Sequence, residues 1–207
     1  MVAPLSELAA PARTVVVTQE LQRGVVGDLA ILPELAAAAQ PAVGAASRVV
    51  AGAREAGMDI VHCVAARRAD GRGSNANARL FAATARLGSL EPGSPAVEVV
   101  PELGPEPEDI VLCRLHGVGP MGGTDLDGVL RHLGATTVVG VGVSVNVGMT
   151  SFVMDAVNGG YQFVLPRDAV AGVPADYADA VIDNTLSLLA TVTTTDELLD
   201  AWVPATP

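Results

Sequence analysis

The chain contains no lysine: all 12 of its basic residues are arginine. A Schiff-base amine, a P-loop lysine and a neutralised lysine base are therefore excluded, along with the enzyme classes that depend on them. Histidine is scarce, and His62, His116 and His132 all lie in the first two thirds of the sequence. Two cysteines in 207 residues cannot make a disulfide framework. No apolar run approaches the ~20 residues that a membrane span requires, so no membrane partner is expected. The opening residues MVAPLSELAAPAR lack the basic start and apolar centre of a secretory leader, and a reducing cytoplasm is the expected compartment. A formal charge of -11 leaves no basic face for a phosphate backbone, which argues against nucleic acid. No His, Cys or Asp cluster has ligand spacing, so neither a metal nor a cofactor is expected.

What is present is a regular alternation. Thr14 to Gln19 (TVVVTQ) is a β-branched run that ends at Glu20, and an alanine-rich amphipathic segment over residues 42–56, stopped by Gly57, reads as a crossover helix. Residues 59–65 (DIVHCVA) predict a second strand and 67–79 (RRADGRGSNANAR) a glycine-broken loop. The proline-rich stretch 90–109 reads as an irregular excursion before a third strand over 109–113. A helix introduced by Thr124, with Asp125 and Asp127 in its first turn, ends at Gly134. Further strands are expected over 137–143, 162–166 and 190–193, with helices over 175–188 and from Thr195 to Trp202. Such alternation predicts a three-layer α/β fold with a largely parallel sheet, a single domain over residues 1–207 with loose termini at 1–13 and 204–207.

The segment 136–161 (TTVVGVGVSVNVGMTSFVMDAVNGGY) organises the rest. Its valine–glycine run reads as a strand buried on both faces, turning at Ser144 to Asn146 into a helix that closes at Asn158-Gly159-Gly160. A strand-to-helix elbow in an open α/β sheet gathers backbone N–H groups at the crevice where ligands bind. The glycines miss the dinucleotide pattern because Val145 stands where it needs glycine. GVSVN is one residue short of a serine nucleophile elbow, and no histidine follows Ser144 to complete that triad.

The remaining chemistry is a carboxylate and a guanidinium at the ends of core strands, Glu20 and Arg114. Such a pair serves as a structural salt bridge, or as an acid or base held by an arginine beside the elbow amides. His62 reads as a strand histidine with a satisfied ring, and His116 as a residue facing the crevice. Cys113, next to Arg114, is a further nucleophile candidate.

The ordered set E-L-Q (Glu20 to Gln22), C-R (Cys113, Arg114), G-G-T-D-L-D (122–127), G-V-S-V-N-V-G-M-T-S (142–151), D-A-V-N-G-G-Y (155–161) and R-D-A-V (167–170) resembles the isochorismatase-like hydrolases. The resemblance implies a doubly wound α/β/α fold with a six-stranded, mostly parallel sheet, assembled as a homodimer or homotetramer. Common members use an aspartate, a lysine and a cysteine, with a cis peptide at the elbow contributing to an oxyanion hole. Those positions fall here on Glu20, Arg114 and Gly148, and the cis bond on Val143–Ser144. A branch with glycine in place of cysteine cleaves vinyl ethers by protonation and attack of water. On that pattern Glu20 is the general acid, and Arg114 orients it or binds a substrate carboxylate. Val143, Ser144, Val147, His116, Gln22, Arg67, Arg72, Asn75, Asn77 and Arg79 are the candidates for contact with a small-molecule substrate. The alternative is a catalytically inactive member that serves as a metabolite-binding or assembly subunit.

Overall fold

The computed structural model describes residues 3–203. Its strands are β1 (Thr14–Gln19), β2 (Ile60–Ala65), β3 (Ile110–Arg114), β4 (Thr137–Val143), β5 (Gln162–Pro166), β6 (Val170–Ala171) and β7 (Thr191–Thr193). Every pairing is parallel, in the order β3-β2-β1-β4-β5-β7, with β6 against the end of β4. The sheet has seven strands rather than six, because β6 is too short to leave a periodic signature.

The helices are α1 (Leu5–Leu8), α2 (Pro33–Glu55), α3 (Arg79–Thr84), α4 (Leu126–His132), α5 (Thr150–Asn158), α6 (Ala175–Asn184) and α7 (Thr195–Trp202). Two apolar cores sandwich the sheet. Val16, Val139 and Val141 face α2 and α7 through Val49, Val50, Leu198 and Trp202, while Val15, Val17 and Val138 face α4 and α5 through Leu130, Phe152 and Val153. This division follows from strand alternation: neighbouring valines of β1 serve opposite layers, so the whole strand is buried. Phe152 meets Phe163 edge to face, with ring centroids 5.0 Å apart.

Two expectations need correction. The crossover helix begins at Pro33, not at residue 42, and runs through Pro41. Pro41 lies on the exposed side, while Ala36 and Ala39 continue the buried stripe of Ala42, Val43 and Ala46. The N-terminal stretch, expected to be loose, is docked over the described residues 3–13. Ala9 is fully buried and its carbonyl accepts from Trp202 Nε1 at 3.0 Å, while Thr137 Oγ1 donates to Leu8 O at 2.7 Å. Residues 1–2 and 204–207 lie outside the described part.

The register aligns the carboxyl ends of four strands. Gln19 pairs with Cys63 on β2 and with Gly142 on β4, and Ala65 pairs with Arg114 on β3. β1 therefore has β2 on one side and β4 on the other. This is the point where chain order reverses and a crevice opens.

Candidate active site

Glu20 leaves β1 with φ +53, in the left-handed region that costs a non-glycine residue roughly 1–2 kcal/mol. Its N–H is anchored on Cys63 O at 2.8 Å, and the bend brings the side chain out at the sheet's end. There Arg114 Nη2 donates to Glu20 Oε1, and Gln19 Nε2 donates to the same oxygen at 3.1 Å. Arg114 is 7% exposed, and its Nε and Nη1 are buried without a partner among the described residues. Leaving a buried donor unpaired costs about 1–3 kcal/mol, so Nε and Nη1 are donors that need a partner from outside the described residues, water or ligand.

The elbow faces this pair. β4 ends at Val143, the Val143–Ser144 peptide is cis, and Val145–Met149 form a π-helical turn before α5 begins. Such turns are frequent at functional sites. A Cβ on Gly148 would stand 2.8 Å from Gln19 Nε2, 3.0 Å from Val118 O and 3.3 Å from Val143 O. Gly148 is thus closed to any side chain as long as Gln19 keeps its place.

Glu20, Arg114, Ser144, Val147, Gly148, His116, Arg67 and Asn75 line one cavity of ≈ 170 Å³. Asn75 Oδ1 accepts from Gly117 N at 2.7 Å, tying the 67–79 loop to the loop after β3. The other candidates are not brought in. Gln22 is fully buried, donating to Ala65 O at 2.9 Å and Ala96 O at 3.1 Å and accepting from Ala65 N at 2.7 Å. Its amide is saturated by backbone and acts as a strut. Val143 is completely buried and contributes only to the wall behind Gly148. Arg72, Asn77 and Arg79 are exposed and outside the lining, because turns at Gly71 (φ +70) and Gly73 (φ +82) send alternate parts of the loop inward and outward.

Cys63 and Cys113 are both free. Burial pushes the Cys63 thiol up to about 12 and also raises Cys113, although Arg114 pulls both the other way. Neither is therefore a ready thiolate at neutral pH. Among the described residues no group of three His, Cys, Asp or Glu side chains is placed to hold a metal ion, and no helix is long and apolar enough to cross a membrane.

Two residues of the site escaped the sequence reading. Gln19 closes a fully buried strand whose other polar residues are both threonines, and an amide at that position was the available signal. Ser74 lines the cavity with a buried, unpartnered Oγ, and nothing in the loop's composition distinguishes it from its neighbours.

A parallel α/β sheet with a carboxylate, a guanidinium and a helix-leading turn at the reversal of strand order is an arrangement at which open α/β sheets bind small ligands. The isochorismatase domain matches residues 14–197, and the chain belongs to that family. Ureidoacrylate amidohydrolase RutB of Variovorax paradoxus is 30% identical over 181 residues, covering 81% of this chain and 71% of that protein. The uncharacterized isochorismatase family protein YwoC of Bacillus subtilis is 31% identical over 116 residues, covering 56% of this chain and 61% of its own, so the chain spans less than two thirds of that relative. Its counterpart YecD of Escherichia coli O157:H7 is matched over 52% of its length. The fold superposes on a cysteine hydrolase from Pseudomonas syringae with a TM-score of 0.82 at 24% identity, covering 100% of both chains.

Proposed function

We propose that the protein hydrolyses a small metabolite by acid/base chemistry, in the branch of its family that works without a covalent cysteine intermediate. The observation that supports this most is the occupied space above Gly148, where Gln19 Nε2 leaves no room for a thiol side chain. Glu20 and Arg114 then carry the chemistry. Glu20, as the carboxylic acid, transfers its proton to the terminal carbon of a vinyl ether, leaving a carbocation stabilised by the ether oxygen. Water adds to that cation and returns a proton to the Glu20 carboxylate. The hemiketal collapses to a ketone and an alcohol, so protons and electrons balance without a nucleophilic side chain. Arg114 fixes the Glu20 carboxyl and stabilises the negative charge that develops on it as the proton leaves, and the amides from Ser144 to Gly148 form the electrophilic surface that faces a substrate oxygen. The same reading has the protein in the cytoplasm as a homodimer or homotetramer.

The test is hydrolysis of small vinyl ethers and amides by the full chain and by Glu20→Gln. Vinyl-ether turnover that falls by about 10²–10⁴ in the variant supports the proposal. Equal rates in both proteins sink it, and saturable binding without turnover would favour a metabolite-binding role.

A further inference from the structure

The sheet ends on β3, whose outer edge has no partner strand among the described residues. Arg114 O accepts from Ala66 N at 2.8 Å, so Arg114 turns its backbone toward β2, and Leu112 and Ile110 do the same by the alternation of a parallel ladder. Val111 and Cys113 therefore aim both their N–H and their C=O groups outward, and no hydrogen bond among the described residues reaches those groups. Their side chains lie on the face opposite Ile110 and Leu112, which pack on the α4–α5 core. Val111 is 52% exposed, and Cys113 is exposed and free. A groove of ≈ 740 Å³ runs beside Val111, walled in part by Val97, Val99, Pro101 and Pro105. The strand (IVLCR) holds no proline and its one charge, Arg114, is buried, so the usual devices that keep an edge from pairing are missing.

We infer that the β3 edge is the docking surface for a second copy of this chain, the two β3 strands pairing antiparallel about a twofold axis at Leu112 so that one sheet runs through both copies. The occupant follows from self-complementarity. Centred on Leu112, the pairing sets Val111 opposite the partner's Cys113 and Cys113 opposite the partner's Val111, each as a hydrogen-bonded pair that exchanges two N–H···O bonds. Every outward group of one edge is then satisfied by the other, and the exposed apolar side chains meet on one face. Leu112, whose own backbone faces β2, meets the partner's Leu112 as the close, non-hydrogen-bonded pair, with Cα atoms about 4.5 Å apart. Charge fixes the direction. Glu106, Glu108 and Asp109 precede the strand and His116 follows it. Antiparallel pairing brings that acidic end beside the partner's His116, whereas parallel pairing would set acid against acid. The inference rests on the homo-oligomer of the preceding reading and names its surface, without depending on any turnover.

Leu112→Cys in the full chain, combined with Cys113→Ser to remove the neighbouring thiol, tests the geometry. The spacing across the axis falls in the window of about 4.4–6.8 Å between Cα atoms that a disulfide needs, so mild oxidation is expected to give a dimer joined at residue 112, located by peptide mass analysis. Leu188→Cys in the same background is the control, 80% exposed and outside the β3 edge, and should not cross-link at a comparable rate. Sedimentation equilibrium is the second arm and survives a cysteine variant that does not fold. Val111→Lys alters a half-exposed side chain and is expected to raise the dimer dissociation constant at least about tenfold with an unchanged circular dichroism spectrum. Amide exchange at Val111 and Cys113 should slow as the wild-type concentration rises. A dimer that Val111→Lys leaves intact and that does not cross-link at residue 112 overturns this inference alone, because the chain then assembles through another face. A chain that stays monomeric at every concentration overturns it together with the homo-oligomer, and leaves the chemistry proposed for Glu20 untouched.

Discussion

Gln19 and Gly148 compete for one volume. The Gln19 amide nitrogen lies 2.8 Å from the point where a Cβ on residue 148 would stand, and the same nitrogen donates to Glu20 Oε1 at 3.1 Å. A single buried side chain both fills the space above the elbow and holds the candidate acid. Gly148→Cys should therefore cost about 1–3 kcal/mol through overpacking, seen as a lower denaturant midpoint. Adding Gln19→Ala to it should recover much of that loss, a coupling that a double-mutant cycle reads directly. A fully stable Gly148→Cys protein would show that Gln19 is free to move aside.

The Glu20–Arg114 pair is mostly buried, with side chains 21% and 5% exposed. Glu20→Ala strips the guanidinium of its only carboxylate among the described residues and leaves another donor unpaired, at a cost of roughly 3 kcal/mol. Glu20→Gln keeps an acceptor and should cost less. Urea unfolding of the two variants checks the order.

Much of this frame was legible in advance. β1, β4 and β5 are parallel strands whose buried apolar runs, valine-rich in β1 and β4, leave little ambiguity, and Glu20, Arg114 and Gly148 fall together because strand ends in a parallel sheet share one edge. The inward and outward faces of the 67–79 loop were not legible. Which residues turn toward the cavity depends on positive φ at Gly71 and Gly73 and on the Asn75–Gly117 bond, and neither leaves a period in the sequence. Gln22 was misread for a related reason, because its partners are backbone atoms far along the chain, at the end of β2 and at Ala96.

His62 sets a pH dependence of stability. It is fully buried between Thr18 Oγ1 at 2.9 Å and Asp109 Oδ2 at 3.1 Å. Burial holds the imidazole below its ordinary value of 6.5, although Asp109 works in the other direction. The unfolded chain therefore binds the extra proton first, and stability falls as pH drops from about 6.5 until the folded ring also titrates. Asp109 adds to the loss at lower pH: burial raises it, but the Glu106 N–H, Arg54 and His62 together hold it below 3.8. Thermal unfolding of the wild type should decline between about pH 7 and 5, and His62→Gln should be less stable but flatter over that range. A wild-type profile without this decline would contradict the assignment.

Asn75→Ala removes the acceptor for Gly117 N, a 2.7 Å bond worth about 1 kcal/mol. The 67–79 loop should then open more often, giving faster amide hydrogen exchange and faster proteolysis at Arg72 with little change in global stability. Unchanged exchange in the loop would show that another contact holds it down.

The most direct measurement is turnover of a vinyl ether in D₂O, with early quenching and mass analysis of both product and protein. Protonation of carbon by Glu20 requires one deuterium in the new methyl group of the ketone per turnover and an intact protein mass free of any adduct, both dependent on the Glu20 carboxyl. A product without deuterium, or a covalent acyl adduct on the protein, would contradict hydrolysis by proton transfer.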